Sequence, residues 1–138
     1  MTVLGGMLRM DTPGNGHIVD ITDGVRRVVR TTAVERGLAC VFARGSTVAV
    51  TTMEYEAGAI DDLQALLDRL VPATGAYEHN RRNRDTNAHA HLRAAVIGPS
   101  ETVPLLDGEL VLGTWQQLVL LDFDDRPRTR TVTVQVLS

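Results

Sequence analysis

The sequence predicts an α+β fold, a mostly antiparallel or mixed β-sheet shaped as a half-barrel or sandwich with two to three short helices. Three observations carry that expectation. About eight β-rich apolar runs recur along the chain, against only a few stretches with helical periodicity. Turn-forming segments such as DTPGNG, Asp107-Gly108 and DDRP separate those runs. A length of 138 residues suits one domain over residues 1–138, and with 43% apolar but only 4% aromatic residues its core must be built from Val, Leu, Ala and Ile.

Residues 2–10 and HIVD at 17–20 read as strands flanking the turn at 11–16. Thr22 or Asp23 can cap a helix over roughly 24–35, where Val25, Val28, Val29 and Thr32 share a face and Gly37 supplies the stop. LACVFA (38–43) and STVAVTTM (46–53) are β-rich and meet at Arg44-Gly45 as a hairpin or a tightly bent pair. AIDDLQALLDRLV (59–71) is the clearest amphipathic helix: Ile60, Leu63, Leu66, Leu67 and Leu70 line one side, and Pro72 ends it. Asp61-Asp62 suits the positive start of that helix better than a magnesium site. Residues 73–86, polar and without periodicity, read as a loop. ETVPLL, ELVL, QQLVLLDF and TRTVTVQV then predict a C-terminal β-meander.

Charge and motifs narrow the function. A net charge of −3 and a pI near 5.7 argue against nucleic-acid binding, which needs clustered positive charge; Arg81, Arg82 and Arg84 form the one local exception. Cys40 is the only cysteine, so no intrachain disulfide forms, a reducing compartment fits, and the thiol reads as buried. No apolar run approaches the ~20 residues of a membrane span, and the N-terminus lacks signal-peptide features. A soluble cytoplasmic protein is expected. CxxC, Walker, GxGxxG and HExxH motifs are all absent.

DTNAHAHLRA (85–94) holds the most informative chemistry. In a strand, Asp85, Asn87, His89 and His91 would project from one face and suit a metal. In a helix, His89 and His91 sit about 200° apart and cannot share one ion. Capping by Thr86 or Asn87, the helix-forming run AHAHLRAAVI and the Gly98-Pro99 stop favour the helix. A site would then need distant residues, and His79 and Glu54 are the candidates, against the plainer reading of ordinary helix-borne histidines. His17 reads as a surface histidine. Trp115, the sole tryptophan, is expected to pack in the core or at an interface.

Four stretches, ARGSTVAVTTMEYEAG (43–58), AYEHN (76–80), NAHAHLRAAVIGPSETVPLLDGELVLGTWQQ (87–117) and FDDRPRTRTVTVQV (123–136), together resemble the YjbQ family, whose members are often named secondary thiamine-phosphate synthase enzyme. The resemblance implies a homotrimer with sites near subunit boundaries. It implies catalytic roles for Glu54, His79 and His91 and substrate contacts from Thr114 and Gln116; by their own chemistry, Ser46 and Thr47 can offer hydroxyls and amides to a phosphate, and Arg82 and Arg84 can bind a diphosphate. A divalent metal (Zn or Mg) would be held by His79 and His91, with His89 less secure. The implied activity joins a pyrimidine diphosphate to a thiazole phosphate; the alternative is a non-catalytic trimer that binds a small phosphate-containing metabolite, anion or metal. Two positions depart from the common pattern: Gly45 stands where many members have His, and Met53 where they have Asn.

Overall fold

A computed structural model describes all 138 residues. The strands are β1 (Val3–Thr12), β2 (His17–Asp20), β3 (Gly37–Ala43), β4 (Val48–Met53), β5 (Ser100–Leu106), β6 (Glu109–Leu110), β7 (Gln117–Asp122) and β8 (Arg128–Leu137); the helices are α1 (Thr22–Thr31), α2 (Ala57–Leu70), α3 (Glu78–Asn83) and α4 (Ala88–Ile97). They build a five-stranded sheet, β1-β8-β3-β5-β6, and a three-stranded sheet, β2-β7-β4. Every strand pair is antiparallel. The α+β class is therefore as expected.

The sequence alternation explains the layering. On β7, Leu118 and Leu120 face a core shared with Val41, Val134 and Val48. Val119 and Leu121, one residue out of phase, face a second cluster with Leu67 of α2 and Ala90 and Ala94 of α4. The three-stranded sheet is thus buried on both sides, with the five-stranded sheet on one and α2 and α4 on the other. None of the helices is long and apolar enough to cross a membrane.

The 38–53 segment takes the bent-pair form of its two expected alternatives: β3 joins the larger sheet and β4 the smaller. Three local expectations need correction. The C-terminal strands form no meander, because β7 inserts between β2 and β4 while β8 inserts between β1 and β3. Residues 73–86 contain α3, so there are four helices where two to three were expected. α1 stops at Thr31, four residues short of the expected end, and Ala33 follows it at φ 55. α2 begins at the carboxylate of Glu56, which accepts from the Gly58 and Ala59 amides, each at 2.8 Å. Those two backbone hydrogen bonds hold the Glu56 carboxyl below its ordinary range.

A buried charged network ties the sheets together at one end. Arg130 of β8 forks onto Asp122 of β7 through Nε and Nη2, both at 2.7 Å, and Nη2 also donates to Thr47 Oγ1 at 2.7 Å. The Thr47 hydroxyl donates to Asp124 at 3.0 Å, Arg128 Nε donates to the same carboxylate at 2.9 Å, and the Thr12 hydroxyl donates to Asp122. Burial alone would raise the Asp124 carboxyl, but the Arg128 and Thr47 hydrogen bonds outweigh it and hold it low.

Candidate functional site

α4 sends its two histidines in different directions, as a helix requires. His89 is 6% exposed and turns into the protein, where its Nδ1 and the Asn87 Oδ1 have no hydrogen-bond partner. Burial, then the Arg93 charge, push the His89 imidazole below its ordinary value, against a smaller opposing pull from Asp125 and Asp124.

His91, half-buried, turns instead toward His79 on α3; their ring centroids are 4.8 Å apart with planes tilted by 46°. Asn80 organises this meeting. Its Oδ1 accepts from the Ala88 amide at 3.0 Å, pinning α3 to the start of α4, and lies 3.0 Å from His79 Nδ1. An oxygen that only accepts calls for a proton on Nδ1, and Nε2 makes no hydrogen bond within the chain.

The pair borders a cleft of about 290 Å³ lined by Tyr77, Glu78, His79, Ala88, His91 and Leu92. His91 also borders a second cavity of about 280 Å³, whose wall includes Gly45, Ser46, Val48, Ala94 and Pro99. Each approaches the size range of small-ligand pockets. Of the expected set, His79 and His91 therefore share the first cleft, and Ser46 and His91 the second cavity.

The other expected residues lie elsewhere. Glu54 and Thr114 line a separate cavity of about 480 Å³ with Asp20, Tyr55 and Trp115. Trp115 is 73% exposed in the single chain, which removes the core half of the core-or-interface expectation. Cys40 is half-buried, not fully. Thr47 is committed to the Asp124–Arg130 network. Gln116 closes its own turn, accepting from the Gly113 amide and donating to Thr52 Oγ1, both at 3.1 Å. Arg82 pairs with Glu78 at 3.4 Å, Arg84 ends α3 in the left-handed conformation at φ 51, and neither lines the groove. Within one chain no three His, Cys, Asp or Glu side chains converge as a metal centre; the His79–His91 pair supplies two donors. Tyr77 and Leu92 were not foreseen as lining residues, although Tyr77 sits two positions before His79 in the quoted AYEHN.

The class of protein is set at this point: a small α+β subunit of stacked antiparallel sheets whose helical layer presents a paired-imidazole groove. The chain belongs to the YjbQ family, matching the description "UPF0047 protein YjbQ-like" over residues 7–138. It is 41% identical over 130 residues to a UPF0047 protein of Archaeoglobus fulgidus, covering 94% of this chain and 98% of that one. It is 42% identical over 123 residues to one from Mycobacterium bovis, covering 88% and 92%. Among solved structures, a YbjQ-like protein of unknown function from Sulfolobus solfataricus superposes with a TM-score of 0.94 at 31% identity, covering 99% of this chain and 98% of that one. An uncharacterised yjbq/upf0047 protein from Clostridium acetobutylicum gives 0.87 at 31% identity, covering 95% and 98%.

Proposed function

We propose that this chain is a small cytoplasmic enzyme, working as a homotrimer, that handles a phosphate-containing metabolite at the His79–His91 groove. Formation of thiamine phosphate from a pyrimidine diphosphate and a thiazole phosphate is, on this reading, a secondary activity. The observation that carries it is the imidazole pair, 4.8 Å apart and bordering ligand-sized space on both sides of His91. Imidazole exchanges protons near neutral pH, and His79 offers Nε2 because Asn80 occupies Nδ1. A protonated ring would also neutralise a phosphate oxygen, and Ser46 borders the second cavity beside His91. No arginine lines the groove, so stabilising a departing diphosphate would fall to imidazolium or added Mg²⁺, and this favours a secondary rather than a primary synthase role.

The test combines ligand binding with turnover. Phosphate-containing metabolites should raise the melting temperature of the wild type and not of His79→Ala or His91→Ala. The expected stabilisation is about 2.7 kcal/mol at a hundredfold excess over Kd. With both thiamine precursors and Mg²⁺, the wild type should form thiamine phosphate above the His91→Ala background. Binding without turnover would instead support a non-catalytic trimeric binder.

A metal-holding version of the same site rests on the two imidazoles alone. His89 turns inward, so one subunit offers two of the four ligands of an ordinary zinc site. Elemental analysis of wild type, His79→Ala and His91→Ala decides it. Stoichiometric zinc lost in both variants would require further donors from outside the subunit. No metal in any of the three leaves the acid–base and anion-binding reading.

A further inference from the structure

Trp115 is the only tryptophan of the chain, and its turn leaves the indole largely exposed. That turn is braced on both sides by Gln116, which accepts from the Gly113 amide and donates to Thr52 Oγ1. Tyr55 borders the same cavity of about 480 Å³, and its hydroxyl is fixed by donating to the Ile18 carbonyl at 3.1 Å. Two aromatic side chains on anchored segments offer a flat ligand a stacking surface that needs little further ordering. Four carboxylates border this cavity too, and three are already engaged. Asp20 accepts from the Thr22 amide at 2.9 Å, Asp23 pairs with Arg26 at 3.3 Å, and Glu56 caps α2. Glu54 has no such partner within the chain and is the acceptor left for a ligand. Asp23 and Arg26 also border a neighbouring cavity of about 570 Å³, whose other walls are Arg27, Arg30 and Glu109. Residues 23, 26, 27 and 30 share one side of α1, opposite buried Val25 and Val29. Arg27 forms no ion pair, and Arg30 meets Glu109 only at 3.7 Å with both side chains 61% exposed, a weak pairing that an anion can replace.

The two cavities meet at Asp23 and Arg26 and form one trough, aromatic and acidic at one end and basic at the other. We propose that this trough binds a phosphorylated aromatic ring that bears an amine, the chemistry of an amino-substituted nucleotide. The ring stacks on Trp115, its amine donates to Glu54, and the phosphate lies on Arg27 and Arg30. Both ends are needed to select the ligand. A free phosphate gains only the arginines, and an unphosphorylated ring gains only Trp115 and Glu54. A ring that turns a carbonyl toward Glu54 sets two acceptors against each other. From Asp23 to Arg30 the helix rises about 10 Å, room for a sugar between ring and phosphate. Neither His79 nor His91 borders the trough, so the inference goes beyond the proposed function and either can fail alone.

The test is titration of the wild-type tryptophan emission, which Trp115 alone supplies, with cytidine monophosphate, uridine monophosphate, cytidine and inorganic phosphate. Cytidine monophosphate should quench the emission saturably and bind at least about tenfold tighter than each of the other three. Glu54→Gln should erase the preference for cytidine over uridine monophosphate, because an amide can turn either its oxygen or its nitrogen to the ring. Arg27→Ala combined with Arg30→Ala should weaken cytidine monophosphate about tenfold and leave cytidine unchanged. An equal response to uridine monophosphate, a response to inorganic phosphate as strong as the nucleotide's, or no quench at millimolar ligand overturns the inference. So does a cytidine monophosphate affinity that the paired arginine changes leave intact. If a variant fails to fold, the wild-type titrations alone decide. His79→Ala should titrate as wild type. Loss of the quench there would seat the nucleotide in the imidazole groove and overturn the inference, whereas a ligand confined to that groove leaves the Trp115 emission as it was.

Discussion

His89 and His91 show how one turn of helix divides the work of two identical side chains. His91, half-buried, faces His79 and the cleft. His89 is sealed in, and burial favours its neutral form. The unfolded chain therefore binds that proton more tightly than the folded one, so stability falls as pH drops from about 6.5 toward the lower folded value. Thermal melts at pH 7.5 and 5.5 should show a larger loss for wild type than for His89→Gln; equal losses would mean His89 is not buried neutral. Gly45 makes a second residue-scale case. Its φ of 149° and the absence of a Cβ are both used, because a Cβ there would lie 2.8 Å from Arg130 Nη1 and 2.9 Å from Val48 Cγ1. Gly45→Ala should cost about 1–3 kcal/mol by urea titration. The histidine that resembling proteins carry here would have to displace the arginine before it could serve a site. A wild-type-like midpoint would show that the loop shifts freely.

At the scale of elements, α4 is held to α2 by one side chain. Arg93 is 7% exposed, donates through Nε and Nη2 to the Val71 carbonyl just beyond the end of α2, at 3.0 and 2.8 Å, and reaches Asp68 at 3.0 Å. Its guanidinium also lies 5.9 Å from the Phe123 ring centre. Asp68 is largely exposed, so Asp68→Asn should cost no more than about 1 kcal/mol. Arg93→Ala removes both donors to the part-buried Val71 carbonyl and should cost about 1–3 kcal/mol more, the difference being read from paired chemical denaturation curves. Elements of this kind were legible in unequal degree. α2 announced itself through Ile60, Leu63 and Leu67, and α4 through its stop at Gly98, because both are local periodic signals. α3 gave none: six polar residues, EHNRRN, fold back on contacts such as Asn80 with Ala88. The strand at 46–53 was visible too, but which sheet it joined was not, since a hairpin and a sheet-crossing bend share the same local sequence and differ only in long-range pairing. The site follows the same division. His79 and His91 meet because helix geometry, readable in advance, turns His91 outward. Glu54, one residue past the end of β4, lies with Trp115 in another cavity, a placement set by long-range sheet pairing that local sequence does not reveal.

For the molecule as a whole, the two sheets are joined by apolar side chains at the centre and by ions at one end. Asp122 is fully buried and Arg130 7% exposed, and they sit on different sheets. Separating the charges at that end would open the interface between layers. A buried pair of this kind contributes little net stability against an apolar pair, yet removing one partner strands the other charge. Asp122→Ala and Arg130→Ala should therefore each cost about 3–5 kcal/mol, a large share of the ~5–15 kcal/mol typical of a domain. Asp122→Leu combined with Arg130→Met should cost clearly less than the sum of the single changes, even though Thr12 and Thr47 lose their partners. A double-mutant cycle by urea denaturation reads the coupling directly. Additive losses would mean the two charges act separately and the sheets are held by the hydrophobic core alone; strong coupling makes this ion pair the joint on which the Gly45–Thr47 bend, and with it the Ser46 wall of the second His91 cavity, is set.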